Sequence, residues 1–188
     1  MKVKPNSKDN SVKRQALKRL RVRPAVGDPR RGWLVAGPLV LPVALGRSGI
    51  KANKREGDGA TPRGRFRLRQ LWWRPDRAAR PRTLLPVRRI TPCDAWCEDP
   101  GDRRYNRAIR LGPDAPGDHL WRKDRLYDLI IELDHNTRPR IAGRGSAVFV
   151  HVARPGMAPT AGCVALTPDA LRRLVSALSA RTEIDIQF

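Results

Sequence analysis

The sequence predicts a mainly β fold: a β-sandwich of short strands with one C-terminal helix packed on it. Three observations lead there. Short runs of alternating apolar and polar residues recur between turns that contain Gly or Pro, as half-buried strands do. Only one stretch, near the end, keeps a helical period through two turns. At 188 residues the chain is long enough for one domain with a sizeable core and short for two.

Each element can be argued in order. Residues 1–20 are polar and basic and read as a flexible tail, with a short helix conceivable over Val12–Leu20; the folded domain is assigned to residues 21–188. Trp33–Val35 and Leu39–Leu45 read as two strands around the Gly37-Pro38 turn. Gly57-Asp58-Gly59 marks a loop, and Gly64–Leu71 a strand. The stretch Leu71–Gly117 is rich in Pro, Arg and Asp and has little period; long irregular segments of this kind form lids or binding loops. Tyr127–Leu133 reads as a buried strand, followed by a turn at Asp134-His135-Asn136. Ala147–Val152 is another, with Phe149 and His151 on one face and Val148, Val150 and Val152 on the other. Thr167 caps the helix, Pro168 takes its first position and Asp169 suits its positive end. Leu171, Leu174, Val175 and Leu178 form the apolar stripe. Ile184, Ile186 and Phe188 alternate as a closing strand, and no internal repeat is visible.

Charge is the outstanding feature of the composition. Lys and Arg number 39 against 18 Asp and Glu, a formal net charge of +21. Residues 1–23 alone hold nine basic residues against the single acid Asp9. Such a balance favours an anionic partner: nucleic acid, an acidic membrane surface or an anionic polymer. No zinc-finger, helix-turn-helix or RNA-recognition signature accompanies it, so nucleic acid is not the expected partner. Three cysteines do not make a disulfide framework. Cys93 and Cys97, spaced C-x3-C, lack the second pair that a metal site needs and read as packed thiols, with a short-loop disulfide as the alternative. The best apolar run, Trp33–Leu45, is broken by Gly37, Pro38 and Pro42 and is too short to span a bilayer; it reads as part of the fold rather than as an export signal.

The chemistry concentrates in His151–Leu166, HVARPGMAPTAGCVAL. Acyl chemistry by a thiol needs a thiolate, a base to take its proton and backbone N–H groups for the oxyanion. His151 ends an apolar strand, a loop with Pro155 and Pro159 follows, and Thr160-Ala161-Gly162-Cys163 leads into an expected helix start. A hairpin-like return of that loop would bring the candidate base His151 to the candidate nucleophile Cys163. Gly162 allows backbone dihedrals that other residues resist.

This run resembles the active-site motif of the L,D-transpeptidase catalytic-domain (YkuD-like) family, a His, a variable loop, then Ser/Thr-x-Gly-Cys and a hydrophobic residue, met here by Thr160, Gly162, Cys163 and Val164. Lys54–Phe66 looks like the family's Gly-x-x-x-Thr-Pro-x-Gly-x-Phe element, seen as Gly57, Thr61, Pro62, Gly64 and Phe66. Trp96–Arg107, WCEDPGDRRYNR, with His119–Tyr127 and Gly143–Val152, resembles a proteobacterial branch made of this domain alone. The similarity runs from about Arg23 to Phe188. One departure stands out: many members carry Arg two residues after the Cys, where this chain has Ala165.

The resemblance implies a β-sandwich of that type and a Cys163 thioester mechanism assisted by His151 and by backbone around Gly162. The acyl group would come from a peptidoglycan stem peptide and pass to the amine of a second stem. It also implies acylation by carbapenems. No metal and no cofactor are expected, and no obligate protein partner is evident. Because stems carry carboxylates, Arg154 is the first candidate substrate clamp, followed by Arg144 and Arg122. Thr160, Trp121 and His119 complete the candidate substrate-binding set, and Tyr127 is read as cleft wall or core. The expected location is the periplasm or cell envelope, with the cytoplasm as alternative because no signal peptide is visible. Two other readings stand beside this one: an L,D-carboxypeptidase that trims recycled muropeptides, and a non-catalytic basic module that binds wall polymer or nucleic acid.

Overall fold

Leu20 and Val22 alternate with arginines, and that two-residue period makes the first strand of the domain. The computed structural model describes residues 16–188. Its strands are β1 (Arg19–Ala25), β2 (Asp28–Ala36), β3 (Leu39–Ala44), β4 (Ile50–Lys51), β5 (Thr61–Pro62), β6 (Gly64–Trp73) and β7 (Val87–Arg89). Then follow β8 (Asp94–Cys97), β9 (Arg107–Arg110), β10 (Asp118–His119), β11 (Leu129–Leu133), β12 (Phe149–Val152) and β13 (Val164–Leu166). The helix α1 (Pro168–Val175) and β14 (Glu183–Ile186) complete the order.

The expected sandwich is a closed, barrel-like sheet instead. Its order is β11-β12-β13-β3-β2-β1-β14-β6, and β6 pairs back onto β11 to close the ring. The reason lies in β6. Its ten residues pair with β14 through Gly64–Arg67 and with β11 through Leu68–Trp73, so a single strand joins what would otherwise be two sheet edges. Closure removes the unpaired edges that an open sheet would expose. β7 pairs parallel with the Leu71–Trp73 end of β6 as the last strand of the same sheet.

Side chains alternate across this wall. Val148, Val150, Val152, Val164 and Leu166 belong to the large core with Leu20, Val22, Leu34, Leu45 and Ile131. Ala147, Phe149 and Cys163 belong to a second core with Trp72, Ile90, Trp96, Leu120 and Ile130. The split of Phe149 from the valines of β12 is the one that the sequence period predicts. The second core exists because the segment 74–126 folds over the outer face of β11 and β12. That segment is not irregular: β8 pairs with both β9 and β10 in a small antiparallel sheet.

The helix starts as expected and ends at Val175, so Leu178, buried in the same core, lies past it. Thr167 Oγ1 accepts from the Ala170 N–H at 3.4 Å, Pro168 opens the first turn, and Leu171, Leu174 and Val175 are buried in the large core. Three sequence expectations need correction. The residues after Cys163 form β13, not a helix, because Val164-Ala165-Leu166 slot between β12 and β3 before Thr167 can cap. The return from His151 to Cys163 is a parallel crossover rather than a hairpin, with His151 opposite Ala165. The helix over Val12–Leu20 lies mostly outside the described residues, and its last two residues begin β1. Leu20 is fully buried, and the Leu17 N–H donates to Ala177 O at 2.9 Å.

Candidate active site

The side-by-side pairing of β12 and β13 places His151 and Cys163 on the outer face of the barrel, in a cavity of about 420 Å³. Arg47, Glu98, Asp118, Arg122, Tyr127, Arg154 and the Ala158–Ala161 loop line the same cavity. A wider surface concavity of about 960 Å³ near Leu84 and Ala177 holds neither a thiol nor a histidine.

Cys163 is a buried, free thiol. It donates to Ala147 O at 3.2 Å, and its Sγ accepts from the Phe149 N–H at 3.4 Å. Burial pushes the thiol up to about 12; the Phe149 N–H pulls the other way, and the nearby carboxylates of Asp118 and Glu98 add smaller upward pushes. His151 is buried too, and burial drives it down to about 4, helped by Arg122 and Arg154. Both groups are therefore neutral at pH 7. Among the described residues no hydrogen bond joins them. The His151 Nδ1 lies 2.8 Å from Val152 O. A carbonyl only accepts, so Nδ1 carries the proton and Nε2 holds the lone pair, the tautomer a general base requires.

The turn before the thiol is braced from several sides. Thr160 Oγ1 donates to Cys163 O at 2.7 Å and accepts from the Gly162 N–H at 3.1 Å. Thr61 Oγ1 donates to the same carbonyl at 3.4 Å and accepts from the Gly46 N–H at 2.8 Å. Gly162 has a φ of +147°, and a Cβ there would lie 2.8 Å from Ala60 O. Only glycine fits this position. Ala60 is itself held by Asp58, which accepts from its N–H at 2.8 Å and from the buried Lys54 Nζ at 2.6 Å. The Gly57–Phe66 block thus works as the mould for the thiol turn.

A second brace comes from the WCEDPGDRRYNR block. Asn106, buried at a φ of +54°, accepts at Oδ1 from Trp96 Nε1 (3.1 Å) and from the Ala147 N–H (3.2 Å). Its Nδ2 donates to the carbonyls of His135 and Asn136 at 3.0 and 2.9 Å. Asn106 therefore anchors Ala147, the residue whose carbonyl accepts the Cys163 S–H. Next to it, Tyr105 and Ser146 both donate to Glu56 Oε2. The ring of Trp96 meets Phe149 edge-on at 5.0 Å, and Tyr127 meets both Phe149 and His151.

Of the substrate-binding candidates, Arg154, Arg122 and Thr160 reach the cavity. The Thr160 hydroxyl is engaged within the turn, so its visible work is structural. Arg144, Trp121 and His119 do not line it. Arg144 offers its carbonyl to His135, Trp121 lies under the Arg74 guanidinium at 3.6 Å, and His119 Nε2 bonds Ala115 O at 2.6 Å. Ala165, where the family motif puts an arginine, is fully buried and pairs with Ala44 across β13 and β3. Arg47, from the loop after β3, brings a cation to the cavity. Sequence reasoning missed Arg47, Glu98, Asp118 and Asn106. Among the described residues no cluster of His, Cys, Asp and Glu is fit to hold a metal. No helix there is long and apolar enough to cross a membrane. Cys93 and Cys97 are both free thiols.

Residues 29–186 match the family model described as YkuD, L,D-transpeptidase catalytic domain. No curated protein and no solved structure matches the chain.

Proposed function

The chain belongs to the YkuD family of L,D-transpeptidase catalytic domains, and from that membership we propose that it is a cysteine acyltransferase that cross-links peptidoglycan stem peptides in the cell envelope. The observation that carries this reading is the convergence of Cys163, His151 and three arginines on one cavity.

The neutral resting pair sets the order of events. Stem-peptide carboxylates enter on Arg154, since guanidinium binds carboxylate bidentately, while Arg122 keeps its fork on Asp124 and adds positive charge beside it. As Cys163 Sγ attacks the carbonyl on the L-centre of the third stem residue, His151 Nε2 takes the thiol proton. The C–S bond forms, the C–N bond to D-Ala breaks, and the imidazolium returns the proton to the leaving amine. The Gly162 N–H is held by Thr160, so the backbone N–H of Cys163 is the nearer oxyanion donor. The amine of a second stem then attacks the thioester: a C–N bond forms, the C–S bond breaks, and the thiol is restored. Attack by water in place of the amine gives L,D-carboxypeptidase trimming.

Incubation with purified muropeptides followed by mass spectrometry tests this reading, because a cross-linked dimer and a trimmed tripeptide differ in mass. Cys163→Ala is expected to abolish both products while the fold persists. A carbapenem is expected to add its mass to the wild-type chain and not to that variant. Activity that survives Cys163→Ala but disappears with Cys93→Ala or Cys97→Ala would overturn the assignment.

A further inference from the structure

One outer face of the barrel carries charge in ordered rows. On β1, β14 and β6 the side chains that alternate with the large core are Arg19, Arg21 and Arg23, then Glu183 and Asp185, then Arg65 and Arg67. Strand register sets them side by side: Arg21 with Asp185 and Arg65, Arg19 with Glu183 and Arg67. Arg63 adds a cation at the end, its guanidinium 4.9 Å from the centre of the Phe188 ring. Six arginines thus surround two acids. Among the described residues the one ion pair in the group is Arg65 with Glu183, at 3.9 Å, while Asp185 accepts from Gln187 Nε2 at 2.8 Å.

The rows continue onto β2 and β3 with apolar side chains. Arg23 lies beside Trp33 and Trp33 beside Pro42; Arg21 lies beside Val35 and Val35 beside Val40. Trp33 and Val40 are 48% and 58% exposed, and Val26, in the turn between β1 and β2, is fully exposed. Five strands side by side make the face roughly 20 Å wide.

We propose that this face docks the protein on an acidic phospholipid surface. The arginine rows meet lipid phosphates, which guanidinium binds through a matched fork of donors. Trp33, Val40 and Val26 enter the boundary between headgroups and acyl chains, where the apolar body and the N–H of an indole are both accommodated. A polyanion in water would meet the arginines too, but it would leave Val26 and Val40 in solvent. Duplex nucleic acid is read by an element that enters a groove about 12 Å wide, too narrow for five strands abreast. The inference goes beyond the acyl-transfer reading and does not rest on it. In the ring, two strands on either side separate β1 and β14 from β12 and β13, so docking turns the Cys163 cavity away from the lipid.

The test is co-sedimentation of the full chain with vesicles of equal parts phosphatidylcholine and phosphatidylglycerol, against vesicles of phosphatidylcholine alone. Wild type is expected to bind the acidic vesicles and leave the neutral ones in solution. The variant Arg21→Gln/Arg63→Gln/Arg65→Gln/Arg67→Gln should bind several hundredfold more weakly, at about fivefold per arginine. Arg80→Gln/Arg82→Gln/Arg103→Gln/Arg173→Gln removes the same charge from exposed positions off this face and should cost less than about tenfold. Trp33→Ser should weaken binding about tenfold through lost apolar contact. Should the fourfold face variant misfold by thermal melting, Arg21→Gln/Arg65→Gln repeats the comparison with a smaller perturbation. Equal losses in the two fourfold variants would reduce the effect to net charge and overturn the proposal. Duplex DNA bound as tightly as the acidic vesicles, with vesicle binding unmoved by Trp33→Ser, would make the face a polyanion site and overturn the lipid assignment. None of the face residues lines the catalytic cavity, so a failed muropeptide assay would overturn the acyl-transfer reading and leave the docking standing.

Discussion

Cys163 and His151 illustrate how far burial alone moves a titrating group. The thiol is held near 12, so the thiolate fraction at pH 8 is small and should grow tenfold per pH unit. Alkylation of Cys163 by iodoacetamide is therefore expected to be slow at pH 8 and to keep climbing through pH 10, whereas an unperturbed thiol levels off near its usual value. Intact-mass measurement against time reads this directly; a plateau by pH 9 would contradict it. Stability should carry the same signature. His151 is depressed from 6.5 to about 4, so it favours the fold above its unfolded value and loses that contribution as pH falls through the folded one. Glu98 and Asp118 are raised, so their contribution is present below the ordinary carboxylate range and is lost as pH rises through about 6 to 7. Between pH 8 and 6.5 the acids act before His151 does. The melting temperature of wild type, less that of Glu98→Gln/Asp118→Asn, is expected to rise as pH falls across that window. Below it, His151→Gln should remove part of the decline.

The element that does most for the site is the parallel pair β12–β13 with its two braces. Asn106 holds the entry to β12 at Ala147, and Asn106→Ala would leave the Ala147 N–H and Trp96 Nε1 without acceptors. Each buried donor left unpaired costs about 1–3 kcal/mol. Turnover should fall more through kcat than through KM, because the residue set loose, Ala147, is the one holding the thiol and lies away from the arginines. An unchanged kcat with a raised KM would contradict this. Much of this pair was legible in the sequence. The valines of β12 declare their inward face by period two, and Gly162 announces its backbone through its place before the thiol. What stayed hidden is informative. β1 alternates Leu20 and Val22 with arginines, but the pattern is submerged in a run of basic residues and reads as tail. β13 spans only three residues before a strong N-cap, so the helix signal overwrote it. Strands β7 to β10 span two to four residues each and take their order from partners distant in sequence. Glu98, Asp118 and Arg47 belong to the cavity only through tertiary placement, which no local spacing encodes.

At the scale of the whole molecule, charge and closure act together. Residues 1–15 contribute basic groups, while Leu17 and β1 belong to the domain. Removal of residues 1–15 is expected to keep muropeptide turnover and weaken binding to intact sacculi, with the difference shrinking as salt screens beyond about 10 Å at 0.1 M. Removal of residues 1–20 takes Leu20 from the core and should destabilise by about 2–5 kcal/mol, the range for losing a buried leucine side chain, read by urea denaturation. Equal stability of the two truncations would place the domain start after residue 20. The ring itself constrains when folding can finish. β14 lies between β1 and β6, parallel to one and antiparallel to the other. A chain emerging from a ribosome or a translocation pore has every other strand in hand before β14 appears, yet two seams remain open until it does. The barrel is locked by its last strand, so the ring closes only after elongation has passed Ile186.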